Sequence, residues 1–219
     1  MTSIVLATTL TIPFVTLSDD LGTLNNTALQ LGGLTKSALQ PNELYRLFSA
    51  FFLHFSLPHL AVNLFTLGIF LHPVEILIGR AKVINVLLIS ALGGSVGSII
   101  FSPFEIVAGA SGGILGLIAS YTVLHFKCRE KMIGFVFIPH NVLLLIIVGQ
   151  IASDLLFDGI DLYSHLFGFL VGAIYTNFAS RSGLLPNGTR HNNFACLLSF
   201  VLTAIFLVGA VYFGIRCMR

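Results

Sequence analysis

The stretch VINVLLISALGGSVGSIIF, from Val83 to Phe101, holds no ionisable side chain and no proline. As an α-helix rising 1.5 Å per residue it extends about 28 Å, close to the ~30 Å hydrocarbon core of a bilayer. Arg80 and Lys82 stand just before it and Glu105 just after. Such a segment reads as a membrane span flanked by polar punctuation.

Working outward, cutting the chain at its polar residues yields six more candidates: Met1–Leu17, Pro58–Ile78, Val107–Phe126, Ile133–Ile151, Leu162–Phe178 and Phe194–Ile215. Composition agrees. Only 9% of the 219 residues are charged, against about 25% in a globular protein, while 56% are hydrophobic and mean hydropathy is +0.96. Eleven basic and nine acidic side chains are too few to cover the surface of a soluble domain. A soluble enzyme, a DNA-binding domain and a disordered tail are therefore excluded, and the net charge of +2 gives no reason to expect a nucleic-acid partner. The fold class is an all-α membrane protein, a polytopic helical bundle. Cys128, Cys196 and Cys217 follow no disulfide or zinc spacing and read as small buried hydrophobes. Met1–Leu17 lacks the basic start of a signal peptide and reads as a retained first span, a cleaved signal being the alternative.

The longest connection, residues 18–57, includes the apolar run Leu44–Leu57, interrupted by Arg46 and His54. It reads as partly immersed rather than spanning. Arg80, Lys82, Lys127, Arg129, Lys131, Arg181 and Arg190 lie in alternate loops on one side, seven of the 11 basic residues. The positive-inside rule assigns that side to the cytosol. The opposite loops carry Asp19, Asp20, Glu43, Glu105, Asp154, Asp158 and Asp161. The N-terminus is then cytosolic and the C-terminus lumenal or external.

Polar groups within spans cost free energy and mark function. His59 and Asn63, four apart, share one helix face at the start of the second span. Gly109-Ala-Ser111-Gly112 opens the fourth, and Ser164-His165-Leu-Phe-Gly168 the sixth. All three spans begin on the non-cytosolic side, so Ser111, His165, His59 and Asn63 fall in one shallow layer. Glycine and serine are also favoured at helix contacts, so GASG by itself is weak; the conjunction at one depth is what signifies. A serine hydroxyl needs a base, and His165 reaches the layer from another helix. Gly109 and Gly112 leave room for a peptide backbone beside Ser111. The N–H groups of a helix start, with side-chain donors from His59 and Asn63, suit an oxyanion. Asp161 is the only carboxylate near enough in sequence to orient His165, so a Ser–His dyad is favoured over a triad. His54 and His59 lack acidic or cysteine partners for a metal, and no cofactor is implied.

The stretch His54-Phe-Ser-Leu-Pro-His59-Leu-Ala-Val-Asn63, the GASG around Ser111 and the run from His165 through Gly168 to Gly172 resemble the rhomboid intramembrane serine proteases. His165 follows Ser111 by about 50 residues, as that family's histidine follows its serine. Tyr45-Arg46 resembles the family's Trp-Arg motif with the tryptophan replaced, and Glu75 with Gly79 resembles its Glu-x-x-x-Gly. The resemblance covers about Tyr45 to Phe178. It implies a six-helix core that cleaves other membrane proteins near the outer leaflet, with Ser111 attacking, His165 as base, and His59 and Asn63 in the oxyanion hole. Leu115 departs from it, standing where a tyrosine often stacks on the histidine.

The expected organisation is a catalytic six-helix core over 1–178, a cytosolic loop over 179–193 and a seventh span with a short tail over 194–219. Such a six-plus-one arrangement resembles eukaryotic members of the secretory pathway, which implies the endoplasmic reticulum, Golgi or plasma membrane. The implied partners are single-span membrane-protein substrates and the lipid bilayer. A non-catalytic rhomboid-like adaptor that binds client membrane proteins is the alternative, disfavoured because such relatives typically lack the serine or the histidine. A transporter is disfavoured because the polar residues stop in one layer.

Overall fold

A computed structural model describes residues 14–15, 21–129, 132, 137–181 and 193–217. Among these, seven helices of at least ten residues carry the fold: α1 (Leu21–Gln30), α2 (Leu57–Ile78), α3 (Arg80–Phe101), α4 (Ser111–Cys128), α5 (His140–Leu156), α6 (Leu162–Arg181) and α7 (Asn193–Cys217). Four two-residue strands form two ladders. β1 (Phe14–Val15) runs parallel to β3 (Leu53–His54), and β2 (Leu34–Thr35) pairs antiparallel with β4 (Ile106–Val107).

The helix boundaries follow local chemistry. Ser56 is extended and its hydroxyl accepts from His59 N at 3.2 Å, capping α2, with Pro58 in the first turn. Gly79, at φ +86°, ends α2 and begins α3 in a single residue. Two corrections to the sequence reading arise. Phe14–Val15, inside the range read as a first span, form a strand; the rest of that range lies outside the described residues. The fifth helix runs His140–Leu156 rather than Ile133–Ile151. Pro139, extended at φ −56° and ψ 143°, precedes it, and an extended proline fits outside a helix start rather than within one. At its other end the helix continues past Asp154, which the sequence reading left in a loop.

In the bundle α6 lies against both α3 and α4, and α7 also packs on α3. Glycines permit the approach. A Cβ at Gly168 would fall on Gly112 O and one at Gly172 on Gly116 O, while one at Gly94 would lie 2.8 Å from Ser164 O. In lipid, where no hydrophobic force draws helices together, such close packing supplies the association energy. Buried polar pairs add to it: Thr176 Oγ1 donates to Ser120 Oγ (2.8 Å), and Asn85 Nδ2 donates to Tyr175 Oη and Ala195 O (both 3.1 Å), joining α3, α6 and α7. Phe206 of α7 is fully buried edge-on to Phe48 and Phe51.

The exterior of the bundle is unlike that of a soluble protein, and polar groups stand among the apolar side chains of the core. Asn63, Asn85, Ser98, Ser120, His165 and Thr176 are buried, whereas Phe65, Leu145, Leu156 and Phe200 are at least 70% exposed. Lipid is the solvent that accepts such a surface. By length and apolar composition α2 and α3 each suffice to cross a membrane, and α5 and residues Asn193–Gly209 of α7 are shorter apolar helices.

The long connection before α2 is packed. Arg46, 8% exposed, donates to Leu29 O (2.8 Å) and Gly33 O (2.9 Å) and pairs with Glu43. Lys36 donates to Ile99 O (3.0 Å) and Ser102 O, placing a cation on the carbonyls that end α3.

Candidate active site

Ser111 is the first residue of α4, half-buried, directly after Ala110. The first helical bond of this turn joins Ile114 N to Ala110 O (3.1 Å). The preceding N–H groups thus have no carbonyl one turn back, and they point outward with the positive end of the helix dipole. Gly109 enters the turn at φ +136°, a conformation that side chains rarely adopt, and its N–H donates to Ala50 O (3.0 Å).

His59 sits opposite, in the first turn of α2. A Cβ at Gly109 would lie 3.0 Å from His59 Cε1, 3.1 Å from His59 Nε2 and 3.7 Å from Ser111 Oγ. The missing Cβ therefore leaves a space bounded by an imidazole nitrogen and the serine hydroxyl. Asn63, one turn further along α2, is 6% exposed, and its Nδ2 has no hydrogen-bond partner among the described residues. A buried donor without an acceptor costs about 1–3 kcal/mol, a cost that an arriving oxygen would relieve. His54 packs its ring edge-on to His59, centroids 5.0 Å apart. Burial, reinforced by the nearby His59, lowers the His54 pKa to about 4.

His165 lies in the first turn of α6, 8% exposed, with its N–H on Asp161 O (3.2 Å). Its neighbour Ser164 and its own-face Gly168 both pack on Gly112: a Cβ at Gly112 would lie 3.0 Å from Ser164 Oγ. The residues next to Ser111 and His165 are thus in backbone contact, which sets the two helix starts side by side. Leu115, one turn after Ser111, is buried in the core.

The sequence reading favoured a dyad, with Asp161 the only candidate carboxylate for His165. Asp161 is otherwise engaged: Oδ1 accepts from Tyr163 N (3.2 Å), capping α6, and Oδ2 accepts from Ser98 Oγ. The carboxylate on His165 is that of Asp154, whose Oδ1 is 2.9 Å from His165 Nδ1. Sequence spacing concealed it, because Asp154 enters from the last turn of α5.

Similarity to known proteins accords with this geometry. Residues 41–182 match the model of the rhomboid domain. The chain belongs to the rhomboid family. This rhomboid is accordingly an integral membrane protein. It is 28% identical over 190 residues to the Rhomboid protease GluP of Bacillus subtilis, covering 87% of this chain and 36% of that protein. It is 33% identical over 161 residues to the RHOMBOID-like protein 6, mitochondrial, of Arabidopsis thaliana, covering 69% and 49%. It is 30% identical over 138 residues to the human Inactive rhomboid protein 2, covering 61% and 15%. The chain thus spans half or less of the length of these relatives, which include both a named protease and a named inactive protein.

Proposed function

We propose that this rhomboid is an intramembrane serine endopeptidase that cleaves transmembrane segments of single-span membrane proteins. Ser111 is the nucleophile and His165 the base; His59, Asn63 and the first N–H groups of α4 stabilise the oxyanion. The reading is carried by the backbone contact of Gly112 with Ser164 and Gly168, which brings together the helix starts bearing Ser111 and His165. Gly109, Gly112 and Gly168 support the site by their lack of side chains. Beside Ser111, Ser95, Val107, Gly109, Gly112 and Ser164 line a narrow cleft.

In the reaction, Ser111 Oγ attacks the scissile carbonyl while its proton passes to His165 Nε2. The carbonyl oxygen becomes an oxyanion among the N–H donors. His165 then returns the proton to the leaving amine, and water repeats the cycle to release the acyl group.

Helices α2 to α6, with the packed connection before them, form the core and α7 is a further span, with the active layer on the non-cytosolic side of a secretory-pathway or plasma membrane. The charge asymmetry of the loops supports this orientation.

The test is cleavage of a model single-span substrate by Ser111→Ala, His165→Ala and the double variant, each checked for monodispersity in detergent. Groups that act as a unit lose activity non-additively, so all three should fall to a similar background. Retained cleavage by well-folded Ser111→Ala would replace the protease reading with that of a client-binding adaptor.

A further inference from the structure

We infer that Asp154 is a positioning residue, making the site a Ser111–His165–Asp154 triad assembled from three helices; this rests on the protease reading above. The carboxylate is buried, its side chain 3% exposed, and its Oδ1 lies 2.9 Å from His165 Nδ1. The same oxygen accepts from Gln150 Nε2 at 2.7 Å. Gln150 is itself held from both ends: its Nε2 reaches Ser153 Oγ at 3.3 Å, and Ser153 Oγ donates to Gln150 O at 2.8 Å. A buried carboxylate with two donors on one oxygen is a built feature, because an unpaired buried charge would be strongly destabilising.

The chemistry follows from which groups can donate. An ionised carboxylate only accepts, so His165 Nδ1 must carry a proton towards Asp154. Gln150 Nε2 is also 3.3 Å from Nδ1, and an amide N–H given to that nitrogen would select the opposite tautomer. The 2.7 Å bond to Asp154 and the contact to Ser153 take both amide protons, leaving Nδ1 to donate. The neutral imidazole then keeps its lone pair on Nε2, the atom that must accept the proton of Ser111. When that proton arrives the ring becomes an imidazolium, with its charge against the Asp154 carboxylate. The carboxylate stays ionised throughout. Asp154 thus fixes tautomer and ring direction and stabilises the protonated base, without touching substrate.

A purely structural role for Asp154, tying the end of α5 to α6, predicts different behaviour. Asp154→Asn keeps an oxygen acceptor of the same reach and removes only the charge. The experiment measures the rate of covalent labelling of Ser111 by a fluorophosphonate probe in detergent, resolved into a maximal labelling rate and a half-saturating probe concentration. Asp154→Asn should lower the maximal rate at least ~100-fold, as loss of the triad carboxylate does elsewhere, with half-saturation and melting temperature unchanged. Asp154→Glu should recover part of the rate. Labelling of Asp154→Asn at the parental rate would overturn the inference while leaving the protease reading intact. Failure of the unaltered protein to label, or labelling that survives Ser111→Ala, would overturn the protease reading itself. Independently of activity and of any variant's folding, ¹⁵N-histidine spectra of the unaltered protein should show His165 protonated on Nδ1 at neutral pH, its signals assigned by their loss in His165→Gln. A dominant Nε2–H tautomer would overturn the inference.

Discussion

In the proposed oxyanion hole, Asn63 offers a buried amide and His59 a half-buried ring. Asn63 Nδ2 has no partner among the described residues, while His59 Nε2 borders the space left by Gly109. Removing one preorganised oxyanion donor typically slows acyl transfer about 10²–10³-fold. Asn63→Ala and His59→Ala should each slow substrate cleavage on that scale while leaving the melting temperature near the parental value. Parental rates in both folded variants would remove them from the oxyanion hole. His54, fully buried beside His59, has a different consequence. Its folded pKa of about 4 lies below the ordinary imidazole value of 6.5, so between those values the unfolded chain binds a proton that the folded chain refuses. The stability this gives is fully present above about pH 6.5 and is lost as pH falls towards 4, a change of about 3 kcal/mol. His54→Phe keeps an aromatic edge for His59 and abolishes the titration. Its melting temperature should therefore fall less between pH 7 and pH 5 than that of the parent; equal falls would contradict the assignment.

At the scale of elements, the bundle depends on where glycines stand. Gly168 on α6 meets the backbone of Gly112 on α4, with no side chain between them that could move aside. Gly149 on α5 has open space where a Cβ would go. Gly168→Val should therefore push α6 off α4, costing at least the ~1–3 kcal/mol of ordinary overpacking, and should abolish probe labelling of Ser111 through loss of alignment. Gly149→Ala should be neutral or stabilising by up to about 1 kcal/mol, the helix-propensity difference. Thermal unfolding in detergent compares the two, and similar losses from both would contradict backbone packing as the device that aligns Ser111 and His165. α5 itself buries little, Leu143 being its one fully buried described residue.

On the whole molecule, the apolar exterior commits the chain to a bilayer, and orientation then determines which compartment the site faces. The sequon Asn25-Asn26-Thr27 lies on α1, where Asn25 is exposed, and Asn187-Gly188-Thr189 lies outside the described residues. With the proposed orientation only the first faces the lumen. Expressed in a eukaryotic secretory pathway, the protein should carry at most one N-glycan, removed by Asn25→Gln and by glycosidase treatment on gels. A glycan on Asn187 would invert the orientation and put the active layer on the cytosolic side.

The sequence by itself determined the class of the molecule, because a membrane solvent imposes its demands locally: runs of apolar residues, charges confined to loops, and costly polar groups retained only where they serve. Ser111, His165, His59 and Asn63 stood out as candidates for that reason, each a polar residue at the start of an apolar run, and their motifs were specific enough to carry the family resemblance. The identity of the carboxylate was not legible. Asp161, four residues before His165, was the nearest in sequence, yet it caps α6 and binds Ser98. Asp154 is the partner because α5 continues past residue 154 to Leu156, which sets its last turn beside the first turn of α6. Helix phase and the meeting of helix ends depend on packing between segments distant in sequence, and backbone contacts such as Gly112 on Gly168 set them. Only the tertiary structure could decide which of two acidic residues the histidine meets.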